Sequence, residues 1–271
     1  GSVESSEIYP VIYRVKYQVQ GSPLVSIILS EDHANADSAK CEQSIREKTT
    51  YSNYEILIRR AEMTWNETAA KAKGEYLLFL DSDCICTQES WLEELLGVAQ
   101  REEVGAVGAV VSYPKGVIRD AGITLGVGYY NLGSCNFYLL NDDHSGFWGN
   151  FYYMHNVSAV SDTCMLVRKK YYDMAGGMDN GLKTWFAGLD LSLKLMKAGK
   201  VNVLDPYARM GFAHNDLINW EAKRNANGEY VDETEQISLL KERWGEVIRK
   251  GDPYYNANLT KNSSDFILGK L

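Results

Sequence analysis

The sequence predicts an α/β fold: a mostly parallel, doubly wound sheet flanked by helices, with a helical tail at the C-terminal end. Three observations carry this expectation. Short apolar runs at 24–29, 54–58, 76–80 and 104–111 alternate with segments of helical period, and that alternation implies parallel βαβ units. The run Leu77-Leu78-Phe79-Leu80 is unbroken, as in a central strand buried on both faces. From Leu217 the chain is polar and helical, anchored only by Ile237, Leu239, Leu240 and Trp244. At 271 residues there is room for one large domain with extensions.

Taken in order, residues 1–22 read as an N-terminal arm with polar and apolar residues alternating in Tyr13-Arg14-Val15-Lys16-Tyr17, and Gly1-Ser2 as an expression scar. The first core strand, 24–29, stops at Ser30-Glu31-Asp32-His33, and a helix over 37–48 puts Ala39, Cys41, Ser44 and Ile45 on one side. The second strand, 54–58, is closed by Arg59-Arg60; a short alanine-rich helix follows at 66–73, ended by Gly74. Residues 91–101 form an amphipathic helix with a stripe of Trp91, Leu92, Leu95, Leu96 and Val98. The glycines of the 104–111 strand permit close packing. Residues 116–157, rich in Gly, Tyr, Phe and Asn, read as irregular strands and a long loop over a site. Then come an apolar strand over 157–167, broken by Ser161-Asp162-Thr163, helices at 169–175 and 190–198, and a last strand at 201–204.

A formal charge of −8 argues against nucleic acid as a partner, because phosphate backbones are bound by basic stripes. Five scattered cysteines, with Cys84-Ile85-Cys86 at the wrong spacing for a zinc knuckle, read as reduced, mostly buried thiols of a cytoplasmic protein. No apolar run approaches the roughly 20 residues of a membrane span, and no stretch reads as a signal peptide. Association with a membrane surface, at its inner face, stays open, and so does membership of a longer chain.

The functional focus is where the 76–80 strand ends in Asp81-Ser82-Asp83. Ligands of open α/β sheets bind beyond the carboxyl ends of the strands. Two acids spaced i, i+2, with no basic neighbour in sequence, repel one another unless a cation sits between them. Mg²⁺ or Mn²⁺ takes carboxylate oxygens and shares its shell with substrate phosphates, so the motif reads either as a metal–diphosphate site or as a solvated turn.

The order of motifs resembles the family 2 glycosyltransferases of the GT-A fold, in particular their bacterial cell-surface polysaccharide branch. The matching pieces are 74–83, Asp120-Ala121-Gly122-Ile123, Asn156-Val157-Ser158-Ala159-Val160, Gly176-Gly177-Met178-Asp179, Asp190-Leu191-Ser192-Leu193-Lys194-Leu195, and Asp205-Pro206-Tyr207-Ala208 with a following His214. The resemblance implies a Rossmann-like GT-A domain at 23–216, divided into a nucleotide-sugar half (23–115) and an acceptor half (116–216), with a helical extension at 217–271. It implies transfer of a sugar, with inversion, from a nucleotide-diphosphate sugar to a glycan or lipid-linked acceptor. Asp81 and Asp83 then hold Mn²⁺ or Mg²⁺, Asp81 also facing the ribose, and His214 completes the shell. Ser30, Glu31, Arg59, Asn66 and Asp81 line the donor; Asp162 and Trp185 face the acceptor.

The sequence departs from the family in two places. Gly188 stands where the family shows the acid that acts as base, which leaves Asp190 as the candidate base or as a helix cap, with Asp162 and Asp179 as alternatives. The acid-Gly-Ser turn that reads the nucleotide base is missing after the second strand, with Arg59 and Arg60 in its place, either pairing with a diphosphate or solvated. Trp148, Trp185, Tyr129 and Tyr130 either stack on acceptor sugars or belong to the core. A catalytically degenerate binding domain of a larger protein is the alternative reading.

Overall fold

The computed structural model describes residues 1–5, 9, 11–31, 38–128, 130–142, 146–183, 185–213 and 233–269. The arm is a hairpin of β1 (Ser2–Ser5) and β2 (Tyr13–Lys16), paired antiparallel. The core begins with β3 (Val25–Glu31), α1 (Ser38–Lys48), β4 (Tyr54–Arg60), α2 (Trp65–Lys71) and β5 (Tyr76–Asp81). It continues through β6 (Cys84–Cys86), α3 (Trp91–Ala99), β7 (Val104–Tyr113), β8 (Val117–Asp120), β9 (Ile123–Leu125) and β10 (Gly133–Cys135). After a 3-10 turn at Phe147–Tyr152 come β11 (His155–Val157), β12 (Cys164–Arg168), α4 (Lys169–Met174), α5 (Trp185–Lys197), β13 (Val201–Phe212) and α6 (Thr234–Lys250).

The main sheet has the order β11-β13-β7-β12-β5-β3-β4. The expected parallel units are present: β3 runs parallel to both β4 and β5, and β13 parallel to β7. β12 lies between β5 and β7 and is antiparallel to both. The single strand expected at 157–167 is therefore two strands, β11 and β12, on opposite sides of β7 and β13 in the sheet. Its polar interruption is the reason. Thr163 N–H bonds Ser161 Oγ (3.2 Å) rather than a neighbouring strand, which is how Ser and Thr side chains compete with a ladder.

Alternation along the central strands builds two cores. Val25, Ile27 and Leu29 of β3 join Leu78 and Leu80 of β5 on one face, with α1 and α3. Ile28, Leu77 and Phe79 point to the other, with α2, α4 and α5. Gly108 of β7 is required for close packing as expected: a Cβ there would lie 2.7 Å from Val160 Cγ1.

α2 starts at a capping box in which Thr64 Oγ1 accepts from Glu67 N (3.2 Å) and Glu67 Oε2 accepts from Thr64 N (2.8 Å). It ends at Ala72 rather than Gly74, whose N–H instead bonds Ser26 Oγ (2.8 Å). Of the helical extension expected from 217, residues 217–232 lie outside the described ones, and 251–269 carries no helix. α6 buries Leu240 and Trp244, two of the expected anchors.

Candidate active site

The carboxyl ends of β4, β3 and β5 bring Arg59, Ser30 and Asp81 into one row across the sheet. Arg59 is buried. Its Nη2 donates to Ser30 Oγ (2.9 Å), its Nη1 to the Met63 carbonyl (2.9 Å), and its guanidinium lies 4.2 Å over the Trp65 ring. It is thus neither a solvated residue nor an open phosphate clamp; it braces the row, while Arg60 is exposed. Glu31 accepts from the Ser38 hydroxyl at the start of α1. Asn66 departs from its expected donor role. Its Nδ2 donates to the Met178 carbonyl (2.7 Å) and its Oδ1 accepts from Tyr172 Oη (2.5 Å), so the amide straps the turn at Gly177.

Asp81 and Asp83 are one tight turn. Asp83 N–H donates to Asp81 Oδ1 (3.0 Å), leaving Asp81 half-buried and Asp83 buried. The cation facing Asp81 comes from far along the chain: Arg119 Nη2 lies 3.6 Å from Asp81 Oδ2. Arg119 also donates to Thr163 Oγ1 (2.6 Å) and sits 4.1 Å over the Phe212 ring. Burial, the largest single influence, opposes the Arg119 charge, but Asp81 together with Tyr113, Cys84 and Asp120 outweighs it and raises the guanidinium pKa. Sequence reasoning missed Arg119; its trace was a charged Arg119-Asp120 pair interrupting the apolar Val117-Ile118. Asp120 is buried, its pKa raised by desolvation, and its Oδ1 accepts from Gly122 N (3.2 Å).

His214 lies outside the described residues. Ala213 donates its N–H to the Asp83 carbonyl (2.8 Å). Among the described residues no group of three His, Cys, Asp or Glu side chains is placed to hold a metal. Asp81 and Asp83 alone still fit Mg²⁺ or Mn²⁺, which is commonly held by one or two carboxylates with substrate phosphates and waters filling the shell.

The expectation for Asp190 is corrected. It lies inside α5 rather than at its start, with 0% of its surface exposed. Arg243 Nη1 (2.7 Å) and Trp244 Nε1 (2.8 Å) donate to its Oδ1, and Lys194 Nζ pairs with its Oδ2 at 2.8 Å. A base must reach the proton it removes, and Asp190 instead anchors α6. Asp179 is also engaged: Arg243 Nη2 donates to its Oδ2 (2.6 Å), and although burial, the largest single influence, would raise its pKa, this bond, the Gly181 N–H and the charges of Arg243 and Lys194 together hold it below the usual carboxylate value.

Asp162 is placed differently. Asp81 N–H bonds the carbonyl of the adjacent Thr163 (2.9 Å), so Asp162 belongs to the loop beside the acid turn. Its backbone also rests on α5 at Gly188, where a Cβ would come 2.5 Å from Asp162 N. Residue 188 is glycine because the loop carrying Asp162 occupies the space of a side chain. Trp185 is half-buried at the start of α5, its ring 4.4 Å from Phe186, and Tyr130 packs on the same core. Trp148 is 83% exposed. Tyr129 lies outside the described residues. Cys41, Cys84, Cys86 and Cys164 are buried free thiols. Among the described residues no helix is long and apolar enough to cross a membrane.

Comparison with known proteins follows the same lines. The family model "Glycosyl transferase family 2" matches residues 8–174. The chain is 28% identical over 293 residues to the uncharacterized protein y4gI of Sinorhizobium fredii, covering 96% of this chain and 32% of the relative. It is also 28% identical over 295 residues to the O-antigen biosynthesis protein RfbC of Myxococcus xanthus, covering 97% of this chain and 22% of the relative. The chain thus spans a third or less of the length of these curated relatives. Among solved structures, GalNAc-T7 with UDP, GalNAc and Mn²⁺ shares the fold at a TM-score of 0.55 and 14% identity, over 83% of this chain and 55% of that one.

Proposed function

Given that the chain belongs to the family 2 glycosyl transferases and has their GT-A fold, we propose that it transfers a sugar, with inversion, from a nucleotide-diphosphate sugar to a glycan or lipid-linked acceptor. The observation that carries this reading is the row Arg59–Ser30–Asp81 at the ends of three adjacent parallel strands, with Asp83 turned in beside it. Similarity to an O-antigen biosynthesis protein supports a setting in cell-surface polysaccharide synthesis. The GalNAc-T7 structure, which shares the fold, holds UDP and Mn²⁺, and this accords with a nucleotide donor and a divalent metal here. A lipid-linked acceptor would bring the protein to a membrane surface as a peripheral partner.

Asp81 and Asp83 would hold Mn²⁺ or Mg²⁺, which when bound offsets the negative charge growing on the departing diphosphate. Arg119 holds the Asp81 carboxylate in place through their ion pair, and the Asp83 N–H fixes its second oxygen. Ser30, steadied by Arg59, faces the nucleotide end. Asp162 is the base: it takes the proton of the acceptor hydroxyl as that oxygen bonds to the anomeric carbon and the bond to the diphosphate breaks. Its support is position, since it sits on Gly188, where the family's own acid is replaced, and next to Thr163, which bonds both Asp81 and Arg119.

The test is release of nucleoside diphosphate from a panel of UDP-, GDP- and dTDP-sugars, with Mn²⁺ or with EDTA. One donor should be consumed, in Mn²⁺ only, and the new linkage should have the opposite anomeric configuration by NMR. Failure with every donor, despite a folded chain, would favour a binding domain that has lost transfer.

A further inference from the structure

A cavity of about 450 Å³ opens between the 147–158 segment and the non-helical 251–269 segment. That volume is within the ~300–1,000 Å³ of ordinary small-ligand sites. Ser30, Arg59, Asp81, Asp83 and Asp162 do not line it, so it is distinct from the donor end.

Its aromatic wall is built to present one ring. Trp148 is 83% exposed and adopts a left-handed backbone (φ 54°, ψ 29°). Such a backbone is uncommon for a bulky residue and persists only where the surroundings enforce it. Behind it Phe147 meets the indole edge to face at 6.2 Å and stacks on Phe266 at 5.2 Å, which stacks in turn on Phe137 at 4.9 Å. A rigid aromatic column thus holds an exposed tryptophan at the rim.

The floor is polar. Asn150 is 6% exposed, and among the described residues its Oδ1 has no hydrogen-bond partner. A buried acceptor left unmet costs about 1–3 kcal/mol, and a donor on a ligand would relieve it. Asn156 and Asn256 add two more amides, each offering donors and an acceptor.

Charge narrows the ligand. Among the described residues no Lys or Arg lines the cavity, whereas Asp252 does, bonded by the backbone N–H groups of Leu125 (2.7 Å) and Tyr254 (2.8 Å). Burial also lowers the pKa of His155 in the wall, keeping it neutral. A phosphate or carboxylate would find no counter-charge. A lipid tail would leave the amides unsatisfied. A pyranose ring satisfies both surfaces, with an apolar C–H face for the indole and an edge of hydroxyls that donate and accept.

We propose that this cavity binds an uncharged oligosaccharide, as a carbohydrate site separate from the donor site. Binding here requires neither metal nor nucleotide. It is tested by applying the folded chain, in EDTA and without nucleotide, to an array of neutral and anionic oligosaccharides, with titration calorimetry of those retained. Uncharged glycans should be retained, and Trp148→Ala, at an exposed position that the core does not need, should weaken them at least tenfold, with Trp148→Phe recovering part of the loss. Asp83→Ala should bind them as the parent does, even if nucleotide binding is lost. Retention of no uncharged glycan, preference for anionic glycans, or unchanged affinity in Trp148→Ala would overturn the proposal.

Discussion

Three carboxylates compete for the role of base, and their surroundings separate them. Asp190 is enclosed by Arg243, Trp244 and Lys194, Asp179 is tied to Arg243, and Asp162, itself buried, sits on Gly188 beside the acid turn. Asp162→Asn should keep nucleotide binding and lower kcat by about 10²- to 10⁴-fold, the usual contribution of general-base catalysis; kcat within a few-fold of the parent would remove Asp162 from the chemistry. A second prediction concerns Asp205, wholly buried, whose pKa is pushed up to about 7 by desolvation against a hydrogen bond from Tyr207 N–H. Between the unfolded carboxylate value near 4 and 7 the native state holds the extra proton, so stability falls as pH rises through that window. Each unit is worth ~1.4 kcal/mol. The melting temperature of Asp205→Asn should therefore gain on the parent from pH 4 to pH 7 and level off above; a difference that ignores pH would contradict the buried, proton-holding Asp205. At this scale the acid pair was legible because it cuts off an apolar strand abruptly. Arg119 was not, because its meeting with Asp81 depends on how β8 folds back on β7.

Among the elements, α6 and α5 show how one buried carboxylate joins distant pieces of chain. Trp244 and Arg243 of α6 both donate to Asp190 of α5, while Arg243 also reaches Asp179 in the turn before it. Removing one partner leaves a buried charge under-compensated, which costs more than the pair contributes when intact. Arg243→Ala should therefore lower unfolding stability by about 2–4 kcal/mol in urea, reduced from the fully buried case because the arginine is partly exposed. Asp190→Asn should lower stability yet retain transfer. Loss of transfer in a folded Asp190→Asn protein would restore Asp190 as the base. Helices and strands were readable from period and composition, since those patterns report which face is buried. The placement of β12 was not, because local apolar character does not encode direction or partner in the sheet. Only the Ser161-Asp162-Thr163 interruption hinted that the chain leaves the sheet there, and it gave no sign that the chain returns antiparallel.

Taken whole, the molecule puts its chemistry where two kinds of pairing meet. The parallel strands β4, β3 and β5 end together and supply the row of Arg59, Ser30 and Asp81. The antiparallel insertion β12 brings Thr163 and Asp162 to that same end, since its first residue Cys164 pairs with Leu80 next to Asp81. The long β13 runs beside β7 and pairs with β6, so that Phe212 lies opposite Cys84 and Ala213 bonds Asp83. The arm is drawn onto the same body by Arg14 and Lys16, which pair with Glu94 of α3 at 2.7 and 3.2 Å. We propose this acid turn, which Arg119 faces, as the site of a metal and a diphosphate. Calorimetric titration of the chain with UDP, GDP and dTDP, each with and without Mn²⁺, tests this most directly. The account predicts that one nucleotide binds, only in the presence of Mn²⁺, and that Asp83→Ala abolishes the binding. Nucleotide binding indifferent to Mn²⁺ and to Asp83→Ala would contradict it.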